Sequence, residues 1–470
     1  MTIQSLKLLR GIIDDSISQL EAYYSTHSVD FPSLDAPYTL DAAELARSQP
    51  EVVQAVNALT AASYQLMTTV RAPFLTLFDT ACAHQLSACL RVAEEINAAE
   101  FLREGGPAGR HIREIAAYSG LEPNRLGRIL RLLATHHIFQ EVKPDVFANN
   151  RISSYLDTGK PSGWLSTHRT EKYDGTPGGG ALVGHLSDEV CKASSYIYET
   201  LTDPVMGQSF STSHTPINQA FKTDKSFFPW LEEPFNKERF ARYGAAIRGT
   251  SLWNSLDAVL YGYDWASLTP DDLIVDVGGG TGMPSMQIAR AFPSARIVIQ
   301  DRPEVVEQGK RYWSEVFPEA YNTGRVSFQV NDIFGQQPQT KASVFFVRTI
   351  LHDWPDHEAL KILLNLRHAA APTTKLVIAD YMIPYACPDD SDAALLPGAK
   401  GLIAPPPLLA NLGKASSTAY GLDMVMFCNC NGQERTLAHF IDLAKQAHWR
   451  AIRLHRRDDN PFGFLVAEPM

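Results

Sequence analysis

LIVDVGGGTGMPSMQIA, residues 273–289, carries an apolar run straight into a glycine loop and out again into a helical pattern. Glycines at that junction let the chain turn tightly and approach a bound ligand closely. The same texture repeats outward from this stretch. Leu273–Val277, Ala295–Gln300, Val326–Val330, Ser343–Val347 and Lys375–Ala379 are short apolar runs of the kind that form buried strands. Helical stretches such as Pro284–Phe292 and Asp356–Ala371 separate them. Alternation of this kind predicts an α/β architecture with a doubly wound open sheet. Near the end, Trp449–Leu454 and Pro461–Val466 flank Arg456–Asn460 as a hairpin.

The strand ends hold the candidate chemistry. Gly278-x-Gly280-x-Gly282 differs from the G-x-G-x-x-G of a dinucleotide fingerprint. Asp276, close to its strand's end, would repel a pyrophosphate and attract a cationic amino-acid end. S-adenosylmethionine, with an ammonium, a sulfonium and no phosphate, has the charge that such a loop suits. Asp301 ends the second strand, where a carboxylate accepts hydrogen bonds from ribose hydroxyls. Asp332 closes the third, set for an adenine amino group, with Ile333 or Phe334 over a ring face. The fourth strand leads through Arg348 into Leu351-His352-Asp353-Trp354, which brings His352 to the same carboxyl edge. Imidazole is the side chain with its ordinary pKa nearest neutrality, so His352 suits removal of a phenol's proton.

A chain of 470 residues predicts more than one domain. Residues 1–215 read as a mostly helical domain and residues 216–470 as the α/β catalytic domain. Ile3, Leu6, Leu9, Ile13, Ile17, Leu20 and Tyr24 form one apolar stripe. Glu51–Val70 and Pro73–Glu100 predict two further helices, with faces that need each other or a second subunit. Arg110–Phe147 has a winged-helix pattern. Its Arg125, Arg128 and Arg131 leave DNA binding open beside a packing role, but a net charge of -10 argues against nucleic acid. Gly159–Gly179 and Tyr385–Lys414 read as exposed loops. The N-terminus lacks a signal-peptide core and no apolar run nears the ~20 residues of a membrane helix, so a cytoplasmic protein with no membrane partner is expected. Six dispersed cysteines predict reduced thiols, and Cys428-x-Cys430 lacks the second pair of a zinc site, so no metal is expected.

The Asp276–Gly282 run, Leu351–Trp354 and Gly432-Gln433-Glu434-Arg435-Thr436 together resemble the class I S-adenosylmethionine-dependent O-methyltransferases of the caffeic-acid and sterigmatocystin type. The likeness extends to Phe221–Phe228, the winged-helix segment and Phe31-Pro32-Ser33-Leu34-Asp35, and is closer to the fungal branch. A closing antiparallel pair is usual in class I methyltransferases. The resemblance implies a Rossmann-like catalytic domain, an N-terminal winged-helix dimerisation domain, and a homodimer. It also implies methyl transfer to a hydroxyl of a small aromatic metabolite. His352 falls on the family's base, with Asp380 and Glu434 flanking it, Arg348 near the cofactor, and Asn429 and Met426 in the acceptor pocket. Plant enzymes usually carry Glu where Asp380 stands, and Cys428 and Cys430 replace other residues around Asn429. Phe227, Phe228, Trp230, Trp253 and Phe427 are candidates for an acceptor wall or for core. Two other uses of the scaffold stay open: N- or C-methylation, and a dehydration or pericyclic reaction with the cofactor bound.

Overall fold

The computed structural model describes residues 3–250, 256–401, 403–457 and 462–470. The chain divides into two compact units, Met1–Ser209 with Ser213–Trp253, and Phe210–Thr212 with Asn254–Met470. The first unit has a small sheet of β1 (Arg110–His111), β2 (Gln140–Lys143) and β3 (Val146–Ala148), in the order β1-β3-β2. The second has β4 (Leu273–Val277), β5 (Arg296–Asp301), β6 (Val326–Val330), β7 (Val344–Arg348), β8 (Lys375–Tyr381), β9 (Trp449–Arg456) and β10 (Phe462–Pro469).

These seven strands lie in the order β6-β5-β4-β7-β8-β10-β9. The first five are parallel, and β10 runs antiparallel to both β8 and β9. Residues 458–461, where the sequence predicts the hairpin's turn, lie outside the described residues. Strand β4 is apolar at successive positions because both faces of the sheet are covered. Ile274, Val344 and Phe346 pack with Met286 and Ile288 of the helix Met283–Ala291. Val275, Val277, Phe345 and Val347 pack with the helices Asp356–Ala369 and Leu437–Gln446 on the other side. Strand order reverses at β4 and β7, so their carboxyl ends open the crevice where such sheets bind ligands.

In the first unit the helices Ile3–Thr26 and Pro50–Val70 pack through Leu20, Tyr24, Val52 and Ala55. The predicted stripe is buried only in part, since Ile3 and Ile17 remain 71% and 50% exposed. Phe74 and Leu77, at the start of the helix Pro73–Glu95, are 71% and 69% exposed. Large apolar side chains exposed together are what an unfilled interface leaves. The predicted single helix over Pro73–Glu100 breaks at Asn97, whose φ of 54° cannot continue it. The winged-helix pattern forms: a capping box of His111 and Glu114 starts the helix Ile112–Ser119, Gly120 ends it at φ 72°, and Glu122 caps the helix Pro123–Thr135. Arg131 of the predicted basic face pairs with Glu141 and Asp145 of the adjoining hairpin.

Gly159–Gly179 is more ordered than its composition predicts. It holds the short helical turns Ser162–Leu165 and Arg169–Glu171. The Lys160 ammonium donates to the carbonyls of Lys172 and Asp174 at 2.9 and 2.8 Å, and buried Lys172 pairs with Glu94. No helix among the described residues is long and apolar enough to cross a membrane.

Candidate active site

The glycine loop adopts the backbone its residues permit. Gly278, Gly280 and Gly282 have φ of 68°, 60° and 75°. A Cβ on Gly278 would sit 2.5 Å from Ile350, and one on Gly282 2.4 Å from Ile299. At Gly280 a Cβ would meet nothing within 4 Å, so that residue borders open space. Asp276 lies under the loop, 2% exposed, packed where a Gly279 side chain would go. Its carboxylate accepts the Ser285 hydroxyl at 2.6 Å. Burial pushes the Asp276 carboxyl up to about 6, against the pull of Ser285 and of nearby Arg348.

Asp301, the last residue of β5, accepts the Gly280 N–H at 2.8 Å on one oxygen and the Arg302 N–H at 2.8 Å on the other. Each carboxylate oxygen keeps a further lone pair for a hydroxyl. Asp332 is exposed just past β6 and accepts the Phe334 N–H at 3.0 Å. Ile333 and Phe334 pack on the core, and Phe334 meets Trp354 edge-to-face at 4.7 Å. Arg348, the last residue of β7, holds its guanidinium 5.4 Å from the Phe462 ring centre.

His352 stands in the tight turn Leu351–Asp353 just beyond β7. Its Nδ1 lies 2.7 Å from Glu434 Oε1 and 3.7 Å from Asp380 Oδ1. Its Nε2 lies 3.7 Å from Asp353 Oδ1. An ionised carboxylate only accepts, so Nδ1 carries the hydrogen and donates to Glu434, and Nε2 is the nitrogen left to release or take up a proton. The imidazole is 12% exposed, while the Asp380 and Glu434 side chains are enclosed. Burial works against charge on His352, but Glu434, Asp380 and Asp353 outweigh it and push the imidazole up to about 10. Burial, reinforced by Glu434, raises the Asp380 carboxyl against the opposing effect of His352. One oxygen each of Asp380 and Glu434 has no hydrogen-bond partner among the described residues.

Asn429 is buried on the helix Ser417–Cys430, with Oδ1 also unpartnered, and Met426 is half-buried one turn earlier. Trp253 lies outside the described residues. Phe227 and Trp230 are core of the first unit, whereas Phe228 and Phe427 are half-buried. Spacing had not singled out Asp353 beside His352, or Asp423, which accepts the Glu434 N–H at 2.8 Å. Only the folded chain brings Asp423 to that amide.

Nitrogen and oxygen atoms of His352, Asp380 and Glu434 lie within 4.8 Å of one another, a grouping that could hold a cation and that sequence spacing had not shown. The 2.7 Å between Nδ1 and Glu434 is a hydrogen-bond length. Two ligands bound to one ion at about 2 Å each stand about 3 Å apart or more. The geometry is that of a proton-bridged pair. A separate cavity of about 950 Å³ lies within the first unit, bordered by Arg91, Glu94, Lys172, Asp188, Arg239 and Arg242. Those charges pair with one another, and neither the glycine loop nor the His352 and Glu434 segments border it.

Comparison with known proteins gives a consistent picture. Residues 250–450 match the O-methyltransferase domain, and residues 78–159 match the O-methyltransferase dimerisation domain. An O-methyltransferase of Armillaria gallica is 41% identical, over 99% of each chain. The 4-O-methyltransferase 1 of Phanerochaete chrysosporium is 38% identical, over 98% of this chain and 97% of that one. A solved structure described as a pericyclic reaction enzyme superposes with a TM-score of 0.65 at 20% identity, covering 91% of this chain and 97% of that one. That last likeness is one of fold alone.

Proposed function

The chain belongs to the O-methyltransferase family, and on that premise we propose that it methylates a hydroxyl of a small phenolic metabolite with His352 as general base. S-adenosylmethionine is its cofactor and, when bound, supplies a methyl group already activated by a sulfonium. One observation carries the reading: His352 has Nδ1 held on Glu434 at hydrogen-bond distance, which leaves Nε2 for proton exchange, on the sheet edge that carries the glycine loop.

The residues at that edge fit the cofactor. Gly280 borders open space, and the carboxylates of Asp301 and Asp332 suit ribose hydroxyls and an adenine amino group. Gly278 and Gly282 hold the loop's shape, Asp276 supports it from below, and Ile333, Phe334 and Arg348 complete the edge. Asn429 and Met426 are assigned to the acceptor side.

The chain's part in the reaction is to orient the acceptor oxygen and take its proton. The acceptor O–H bond breaks and an Nε2–H bond forms, while Nδ1–H stays on Glu434. The imidazolium so made is stabilised by Glu434, Asp380 and Asp353. The carboxylates around the ring raise its basicity, which favours passage of a phenol's proton to it. The same negative surroundings hold that proton more firmly than an exposed imidazole would, so turnover should climb as pH rises above neutral.

His352→Ala tests the assignment. Calorimetry should show cofactor affinity nearly unchanged, while turnover at neutral pH falls by roughly 10²–10⁴. With a more acidic, nitrophenol-like acceptor the loss should shrink, because solvent supplies the phenolate. Full activity in the variant, or a defect traced wholly to lost cofactor binding, would reject His352 as the base.

A further inference from the structure

Arg435 follows Glu434 and is 1% exposed, one of the largest enclosed side chains in the protein. A buried guanidinium is costly unless each donor is met. Here Nη1 donates to the Leu351 carbonyl at 2.7 Å, Nη2 to the Trp354 carbonyl at 2.7 Å, and Nε to Asp356 at 3.0 Å. Leu351 and Trp354 bracket His352, and Asp356 opens the helix that follows its turn. The Gln433 N–H adds a bond to the His352 carbonyl at 2.9 Å, and Gly432 lies so close to that carbonyl that a Cβ would sit 2.1 Å from it. The Arg435 carbonyl accepts the Ile383 N–H at 3.1 Å, and Arg435 bridges Met382, just past the strand that ends with Asp380 and Tyr381. One residue thus joins the segments that carry His352, Asp380 and Glu434.

We infer that Arg435 is a positioning residue, whose guanidinium and carbonyl together fix the His352 turn against Glu434 and the end of the Asp380 strand. It touches no reacting atom and acts through His352, so the inference rests on the general-base reading for its effect on turnover. The planar fork is essential to it. Arginine spans two carbonyls and a carboxylate at once, whereas a lysine ammonium keeps the charge but cannot reach all three in fixed directions. Loosening the turn lets His352 drift from Glu434, and a misplacement of about 1 Å at a reacting group can cost about 10²-fold in rate.

Arg435→Lys in the full chain is the test, with Asp356→Asn as a second, gentler variant should the first fold poorly. The imidazole of His352, followed by nitrogen NMR through a pH titration, should titrate at lower pH in the variants, because its carboxylate neighbours no longer sit as close. Plateau turnover should fall about 10–100-fold with little change in acceptor KM or cofactor affinity, and the rising limb of the pH–rate profile should move to lower pH. An unchanged His352 titration in folded protein of either variant would overturn the inference. So would a loss of activity that merely follows the unfolded fraction, with the pH profile unmoved. His352→Ala run in parallel separates the two claims: if it stays fully active the base reading fails, while the NMR titration still decides whether Arg435 positions His352.

Discussion

Glu434 is the charge through which the site sets His352. Its carboxylate lies 2.7 Å from Nδ1 and, after the opposing effect of burial, leads the influences that raise the imidazole to about 10. Glu434→Gln removes that negative charge, so the imidazole should lose its proton at lower pH. The rising limb of the rate profile should therefore move toward neutrality, and its plateau should fall because the ring is less firmly held. A limb that stays in place would show that another group titrates. At the cofactor edge, Asp301→Ala should weaken S-adenosylmethionine binding by roughly 1.5–3 kcal/mol in calorimetry, through lost charge-assisted hydrogen bonds. The place of His352 just past a strand was legible in the pattern of strands, whereas Glu434 came only through the resemblance carried by Gly432–Thr436. The role of Arg435 was not legible, although it lies in the same motif, because its partners are backbone carbonyls some 80 positions earlier, which only the folded chain supplies. The burial of Asp276 beneath the loop was equally hidden, since strand position does not say which way a carboxylate is covered.

Among elements, the glycine loop offers the cleanest contrast. Gly280→Ala meets no atom within 4 Å, so its strain is that of an alanine at φ 60°, about 1–2 kcal/mol. Its added methyl enters the open side of the loop, so cofactor affinity should fall more than stability. Gly282→Ala carries the same backbone strain and also crowds Ile299 and Trp313. Thermal unfolding should therefore show a larger drop in Tm for Gly282→Ala than for Gly280→Ala, and the reverse order would contradict the loop's packing. The strands around this loop were legible within a residue or two, because the central ones, covered on both faces, are mostly apolar. Gly159–Gly179 was not, because the contacts that order it, from Lys160 to distant carbonyls and from Lys172 to Glu94, leave no trace in local composition.

For the whole molecule, the apolar side chains left open on the first unit call for a second copy of the chain. Phe74 and Leu77 lie at the start of the helix that runs into the matched dimerisation domain. Light scattering should give twice the chain mass, and Phe74→Glu with Leu77→Glu should shift it toward monomer. A wild-type chain that is monomeric and fully active would reject that assembly. The helical first unit was legible from its apolar periodicity, but the surface it leaves uncovered was not, because a stripe does not tell which neighbour covers it. The reaction proposed for the whole molecule is methyl transfer to a phenolic oxygen. The measurement that tests it most directly is mass spectrometry after incubation of the protein with methyl-labelled S-adenosylmethionine and a panel of phenols. A labelled aryl methyl ether should appear together with demethylated cofactor; a product that forms without the label, or carries it on nitrogen or carbon, would rule out O-methylation of a phenol.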